Sequence, residues 1–206
     1  LRPTFEARKR SSFNVAKMAM LQNNIVHSMG FAAVGNNVLL SDKASIYGID
    51  KISIGSNVRI DDFVVISAGS AGINIGANVH IAVYSLLIGA EKITLSDFSN
   101  ISSRVSIYSS NDDYSGESLT NPTVPEIYRN VRHAPVFIGR HVIIGSGSVV
   151  LPGVSIEEGA AIGALSLVNK NCDSFGIYAG NPAKRLKKRK RYLLEAEKKY
   201  RNSNDD

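Results

Sequence analysis

Only one cysteine, Cys172, occurs in the 206 residues, so an intrachain disulfide framework is impossible and a reducing, cytoplasmic compartment is the simpler expectation. Metal-ligand spacing is missing as well. The four histidines and the cysteine lie far apart, with no C-x-x-C or H-x-x-x-H pattern, and no metal site is expected. No run approaches the ~18 apolar residues of a membrane span, which excludes stable membrane insertion. The N-terminal stretch has no continuous apolar region of signal-peptide length, so export by that route is not expected. There is no glycine-rich P-loop or Rossmann fingerprint, and aromatic residues make up only 7%. What remains, 44% hydrophobic and 20% charged residues, is the composition of a soluble globular domain with a sizeable core.

The net charge of +6 is concentrated in one place. Seven of the eight residues from Lys184 to Arg191 are basic, more than the whole excess, so the rest of the chain is nearly neutral. A cationic tail of this kind suits a phosphate-bearing ligand, a nucleic acid or an anionic membrane surface, and is also compatible with a solvated helix end. At the other end, Val15, Met18, Leu21 and Ile25 fall at near-helical spacing and predict a short helix, with Met18 and Met20 as alternative starts.

From residue 34 onward the dominant period is six. Ile138, Ile144, Val150, Ile156, Ile162 and Val168 recur at strict intervals, preceded by the groups Val34, Leu40, Ile46; Ile54, Ile60, Ile66; Ile75, Ile81, Leu87; and Leu95, Ile101, Ile107. All eighteen positions are Ile, Val or Leu. Two or three extra residues enter after each of the first three groups, and 25 enter between Ile107 and Ile138. Three hexads therefore make one turn of a triangular coil, with every insertion at the same corner. Six coils at the ~4.8 Å strand spacing predict a prism roughly 29 Å tall, apolar inside, with parallel strands on three faces.

The register also predicts columns. Asn37, Asn57, Asn78 and His141 each fall three residues after the first apolar position, where a tight corner suits asparagine and tolerates histidine. Arg59, His80, Asn100 and Ile143 form an outward column just before the middle apolar position. Gly35, Gly55, Gly76 and Gly139 ease the first turn. The segment from Ser174 to Leu186 is expected to end the repeat. Lys184 to Asn202 is expected to form a helix, with Tyr192, Leu193, Ala196 and Tyr200 on one side, capping the prism or a neighbour.

The hexads, followed by Ala179-Gly180-Asn181-Pro182-Ala183-Lys184, resemble the hexapeptide-repeat acyltransferases over residues 34 to 186. The resemblance implies an all-β fold, a left-handed parallel β-helix, a hand that opposes the usual crossover preference. It also implies a homotrimer with active sites between subunits and transfer of an acyl group from acetyl-CoA or another acyl-CoA. The expected organisation is an N-terminal extension over 1–30, the β-helix over 31–186 with an inserted loop at 108–135, and a basic C-terminal helix or tail over 187–206.

Within the insertion, Tyr108-Ser109-Ser110-Asn111-Asp112-Asp113-Tyr114-Ser115-Gly116 carries an aspartate, Asp112, where the galactoside and maltose O-acetyltransferases have a catalytic histidine. With Ile101-Ser102-Ser103-Arg104 before it and Arg140-His141 after it, this run resembles the N-acyltransferases of dTDP-4-amino-4,6-dideoxyglucose in the viosamine and anthrose pathways. The implied catalytic residues are Asp112 and His141. Ser102, Asp113, Tyr84 and His133 are implied to bind the sugar, and Ser146, Ala164, Ala179 and Lys184 to bind coenzyme A. The expected partners are a nucleotide sugar and acyl-CoA in surface-polysaccharide synthesis, with no nucleic acid.

Chemistry independently favours an amine. A hydroxyl needs a well-matched base, normally histidine, whereas a free amine is already nucleophilic and must chiefly lose a proton, a task within reach of a carboxylate. For adjacent Asp112 and Asp113, ordinary turn chemistry is the competing reading. A corner role competes at His141, a surface role at His133, and a packed thiol is favoured for Cys172. O-acylation of a sugar hydroxyl, with His133 or His141 as base, is the alternative function. A zinc carbonic anhydrase of the same fold is disfavoured by the dispersed histidines, and a non-catalytic scaffold would leave the loop motif unexplained.

Overall fold

A computed structural model describes residues 20–203. Within them the hexad period becomes three faces of short parallel strands. Face one stacks Ala33–Val34, Ile52–Ile54, Ile73–Ile75, Ile93–Leu95, Val136–Ile138 and Ser155–Ile156. Face two stacks Leu39–Leu40, Arg59–Ile60, His80–Ile81, Asn100–Ile101, Ile143–Ile144 and Ala161–Ile162, and face three runs from Ser45–Tyr47 to Leu167–Val168. Each strand is too short to bury anything alone, so coils hold together by adding apolar residues to a shared column. Sixteen of the eighteen hexad positions are buried. The exceptions, Val34 and Ile46, belong to the first coil, where no coil lies below. There they pack on the core's edge beside Leu21, Met29 and Phe31, and buried Val26 of the helix α1 (Asn23–Ser28) joins the core.

The corners follow the predicted registers. Corner one, between faces one and two, stacks Asn37, Asn57, Asn78 and His141 in left-handed backbone with φ of 56°, 58°, 57° and 57°. Backbone bonds link the successive coils there, and Asn37 Nδ2 donates to Asn57 Oδ1 at 2.9 Å. Phe98, Gly159 and Phe175 continue this column. The outward column is equally regular, with Arg59 beside His80, His80 beside Asn100 and Asn100 beside Ile143. At Gly55 the coils approach so closely that a Cβ would lie 2.7 Å from Ala77 N. Corner two joins faces two and three, and corner three, between faces three and one, holds all the insertions.

Three expectations at the ends of the chain need correction. The repeat continues past residue 174, because Gly176–Ala179 adds a seventh parallel strand to face two. Lys184–Lys188 is a strand, not a helix. The chain reverses after Pro182 and pairs antiparallel with Gly176–Ala179, since the open edge of face two offers unpaired backbone groups that outweigh helix propensity, and its lysines discourage further pairing. Only Tyr192–Asn202, α2, is helical at this end. It runs down corner one, from Arg191 over Phe175 to Tyr200 hydrogen-bonded to Asn78, instead of capping the prism end. The N-terminal helix begins at Asn23, and Val15 and Met18 lie outside the described residues. No described helix is long and apolar enough to cross a membrane.

Candidate functional site

The insertion leaves face three through a short neck. Buried Ser109 donates from its hydroxyl to Glu91 O at 2.7 Å, and Ala134 N–H donates to Ser109 O, which closes the loop where it meets the coil. Ser110–Asn111 and Arg132–His133 then pair antiparallel, so side chains alternate across a two-stranded ribbon. Ser110 Oγ bonds His133 Nδ1 at 2.8 Å. Asp112 and His133 line one cavity of about 440 Å³ together with Glu126, Arg129, Asn130 and Val131. Asp112 is exposed to solvent there, while Arg129 Nε is buried without a hydrogen-bond partner among the described residues. Asp113 turns away. Ser115 N–H donates to it at 2.8 Å, and the Ser115 backbone and hydroxyl hold its carboxyl below the usual carboxylate range.

A second group gathers at corner two. Ser102, Tyr84, Ser146 and Ala164 lie there on four coils, and Leu165 N–H donates to Ser146 O across the upper two. Fully buried Ser85, which the sequence reading did not single out, fixes this corner by donating to Ser102 O at 2.8 Å and accepting from Val105 N–H. Ala179 and Lys184 face each other across the final antiparallel pair, at the upper end of face two.

His141 stands apart from both groups, at corner one. Its ring stacks on Phe98 at 5.1 Å, and its Nε2 meets Glu197 of α2 at 2.6 Å. Glu197 also accepts from Arg140 at 2.6 and 2.8 Å and from Arg201 at 2.7 Å. Burial pushes the Glu197 carboxyl up, but the bonds from Arg201 and His141 and the Arg140 charge outweigh it and hold the group below its ordinary value. The i, i+4 pair Glu197–Arg201 was visible in sequence, whereas its partners 56 and 57 residues away were not. His80 faces Asp61, which also binds Arg59, on face two. Cys172 is buried, and burial, aided by the Asp173 charge, pushes its thiol up to about 11, as suits a packed thiol. Among the described residues no group of three or more His, Cys, Asp or Glu side chains could hold a metal ion.

One chain thus places the anticipated residues at all three corners: Asp112, Asp113 and His133 at corner three, Ser102, Tyr84, Ser146 and Ala164 at corner two, His141 at corner one. Within a single prism Ser102 and Asp112 are separated by face three.

Residues 135–170 match the bacterial transferase hexapeptide (six repeats) family. The chain is 57% identical over 186 residues to an Escherichia coli dTDP-4-amino-4,6-dideoxy-D-glucose acyltransferase, covering 90% of this chain and 97% of that protein. Among solved structures it is similar to AntD, an N-acyltransferase from Bacillus cereus, in complex with dTDP and 3-hydroxybutyryl-CoA. The TM-score is 0.85 at 44% identity, over 91% of this chain and 98% of that one. A serine variant of AntD bound to dTDP-4-amino-4,6-dideoxyglucose and coenzyme A superposes with a TM-score of 0.87, also at 44% identity, over 91% of this chain and 100% of that one.

Proposed function

From the premise that the chain belongs to the hexapeptide-repeat acyltransferases, with their left-handed parallel β-helix, we propose that it transfers an acyl group from coenzyme A to the amine of a dTDP-linked 4-amino-4,6-dideoxy sugar. One observation supports the assignment of residues. The AntD complexes were solved with variants of a serine and an aspartate ten positions apart in that protein, a spacing shared here by Ser102 with Asp112 and by Ser103 with Asp113, and of the two aspartates Asp112 lines the cavity while Asp113 is tied to Ser115.

In this reading Asp112 receives the sugar ammonium, takes its first proton and relays it to solvent, and orients the resulting free amine, whose nitrogen attacks the thioester carbonyl. The C–N bond forms, the C–S bond breaks, and coenzyme A leaves as thiolate, which takes the second proton shed by the nitrogen as the amide forms. A carboxylate suffices because the amine needs deprotonation more than activation. Ser102, Tyr84, Asp113 and His133 hold the acceptor. Coenzyme A lies along corner two on the backbone of Ser146 and Ala164, past Ala179, with Lys184 and the basic strand at its phosphates. His141, tied to Glu197 and Phe98 at corner one, stands outside this arrangement.

The reading includes a homotrimer with the site between copies. Ser102 and Asp112 lie on opposite sides of face three, so a neighbouring prism has to bring one corner two to another's corner three. The insertion also presents Tyr114, Leu119, Ile127 and Tyr128 outward, apolar surface suited to a second copy. Light scattering should give three chain masses, and a single chain mass at micromolar concentration overturns the shared site.

A second reading has one observation in its favour. His133 lines the cavity of Asp112, with Nδ1 bound to Ser110, and could serve as base toward a sugar hydroxyl. Incubation with acetyl-CoA and a panel of nucleotide sugars, amino and hydroxyl, with thiol release as readout, decides between them. The amine reading requires turnover of amino sugars, and acylation of hydroxyls alone sinks it.

A further inference from the structure

Two corners treat bulky side chains in left-handed backbone differently. At corner one, Phe98 and His141 occupy φ of 59° and 57°, a region that disfavours large residues. Both are covered there: they stack on each other, Tyr200 meets the Phe98 ring edge-on, Arg201 lies over it and Glu197 takes His141. At corner two the same backbone carries Phe63, Tyr84 and Arg104, at φ of 59°, 62° and 60°. No described helix covers them, and Phe63 and Tyr84 are 45% and 52% exposed. Strained positions that the fold itself leaves uncovered point to something outside the fold.

The charges narrow what that is. Phe63 and Tyr84 stack at 5.0 Å, with Lys43 over one ring and Arg104 over the other. Lys43 is engaged by Asp62 at 3.0 Å, and nearby Arg59 by Asp61 at 2.7 Å. Arg104 is exposed and makes no ion pair among the described residues; its guanidinium lies 6.0 Å from the Tyr84 ring. It follows Ser102 and Ser103 directly, and Ser146 stands on the next coil at the same corner. A held, unpaired guanidinium among small polar residues matches the oxygens of a phosphate.

We propose that Arg104 binds the diphosphate of the nucleotide-linked acceptor. The inference rests on the acyltransferase reading above, and it gives the acceptor a cation separate from the Lys184 segment assigned to coenzyme A. Tyr84 supports the guanidinium from below, so the position keeps an arginine that its backbone disfavours.

The same backbone supplies the test. Asparagine occupies this conformation at Asn37, Asn57 and Asn78, so Arg104→Asn should melt at or above the wild-type temperature. Calorimetry should nevertheless show the Kd for dTDP rising at least tenfold, and KM for the dTDP amino sugar rising with it. The Kd for coenzyme A and kcat should stay within threefold, and Arg104→Lys should recover part of the loss. Unchanged dTDP affinity overturns the proposal while leaving the reaction in place. Weakened coenzyme A binding with intact dTDP binding assigns the guanidinium to the donor and also overturns it. A lower melting temperature with both ligands weakened equally makes Arg104 structural, and ends the proposal as well. Wild-type protein that neither binds dTDP nor acylates any nucleotide amino sugar sinks the reading beneath it.

Discussion

The prism and its insertion use apolar residues in opposite ways. In the prism Ile, Leu and Val point inward at fixed intervals and disappear from solvent, while in the insertion Tyr114 and Ile127 stand 86% and 84% exposed. Backbone groups in the prism are bonded coil to coil along every face, whereas the insertion holds together through a two-residue ribbon, a short 3₁₀ turn at Glu126–Tyr128 and local turns. The prism closes its apolar column on itself, apart from the uncovered side chains of corner two. The insertion turns apolar side chains to solvent, and it carries the proposed proton acceptor. A rigid scaffold fixes where the loop begins and ends, and the loop is then free to specialise.

The severest way to break this contrast is to put a charge where the prism is closed. Ile144 is fully buried, so Ile144→Asp should prevent folding, read as loss of the cooperative melt and of soluble protein. A normally melting variant would contradict the inward register. The insertion should respond in function, not in stability: Asp112→Asn should lower turnover about 100-fold or more with little change in coenzyme A affinity or melting temperature. Full N-acylation activity in that variant would remove Asp112 from the mechanism.

Between the two lies α2, attached to the prism chiefly through one carboxylate. Glu197→Gln should lower the melting temperature by about 2–6 °C, through donors left poorly matched. The wild-type advantage has a defined pH window. Because the folded protein holds Glu197 below its ordinary value of 4.5, the added stability is present above that pH and fades as acid protonates the folded carboxylate. Melting curves of the two proteins should therefore converge on acidification, and a constant gap would mean that the charge is not what holds α2. The smallest effect is expected at Lys184→Ala, a roughly fivefold rise in KM for acyl-CoA with turnover nearly unchanged.

How much could be read in advance also divides along this line. The hexads encode one contact each, with the residue one coil away, so the column, the Asn corner and the outward row from Arg59 to Ile143 could be placed by counting. Inside the insertion Asp112 was legible as a candidate, because a carboxylate stands in a histidine's place in a recognisable run, and the structure puts it at a cavity. Its cavity companions Glu126 and Arg129 were not, since loop residues carry no period. The strand Lys184–Lys188 was misread for a related reason: its composition favours a helix, and the open edge that captures it exists only after six coils have formed. His141 was found as a corner residue by counting, but its tie to Glu197 depends on the path of α2, which no local pattern specifies.

The common corner for all insertions has a consequence for how the chain assembles. Paired residues in neighbouring coils are about twenty positions apart, as in Ile75 with Leu95, or eighteen, as in Ile138 with Ile156. Only the step across the insertion, Leu95 with Ile138, spans 43. Folding can therefore zip from coil to coil with one slower junction, whose extra loop-closure entropy costs only about 0.7 kcal/mol. Four coils on one side and two on the other become natural kinetic units. Because the added entropy grows only with the logarithm of loop length, this junction tolerates a longer or shorter insertion with little change in the stability of the prism that carries it.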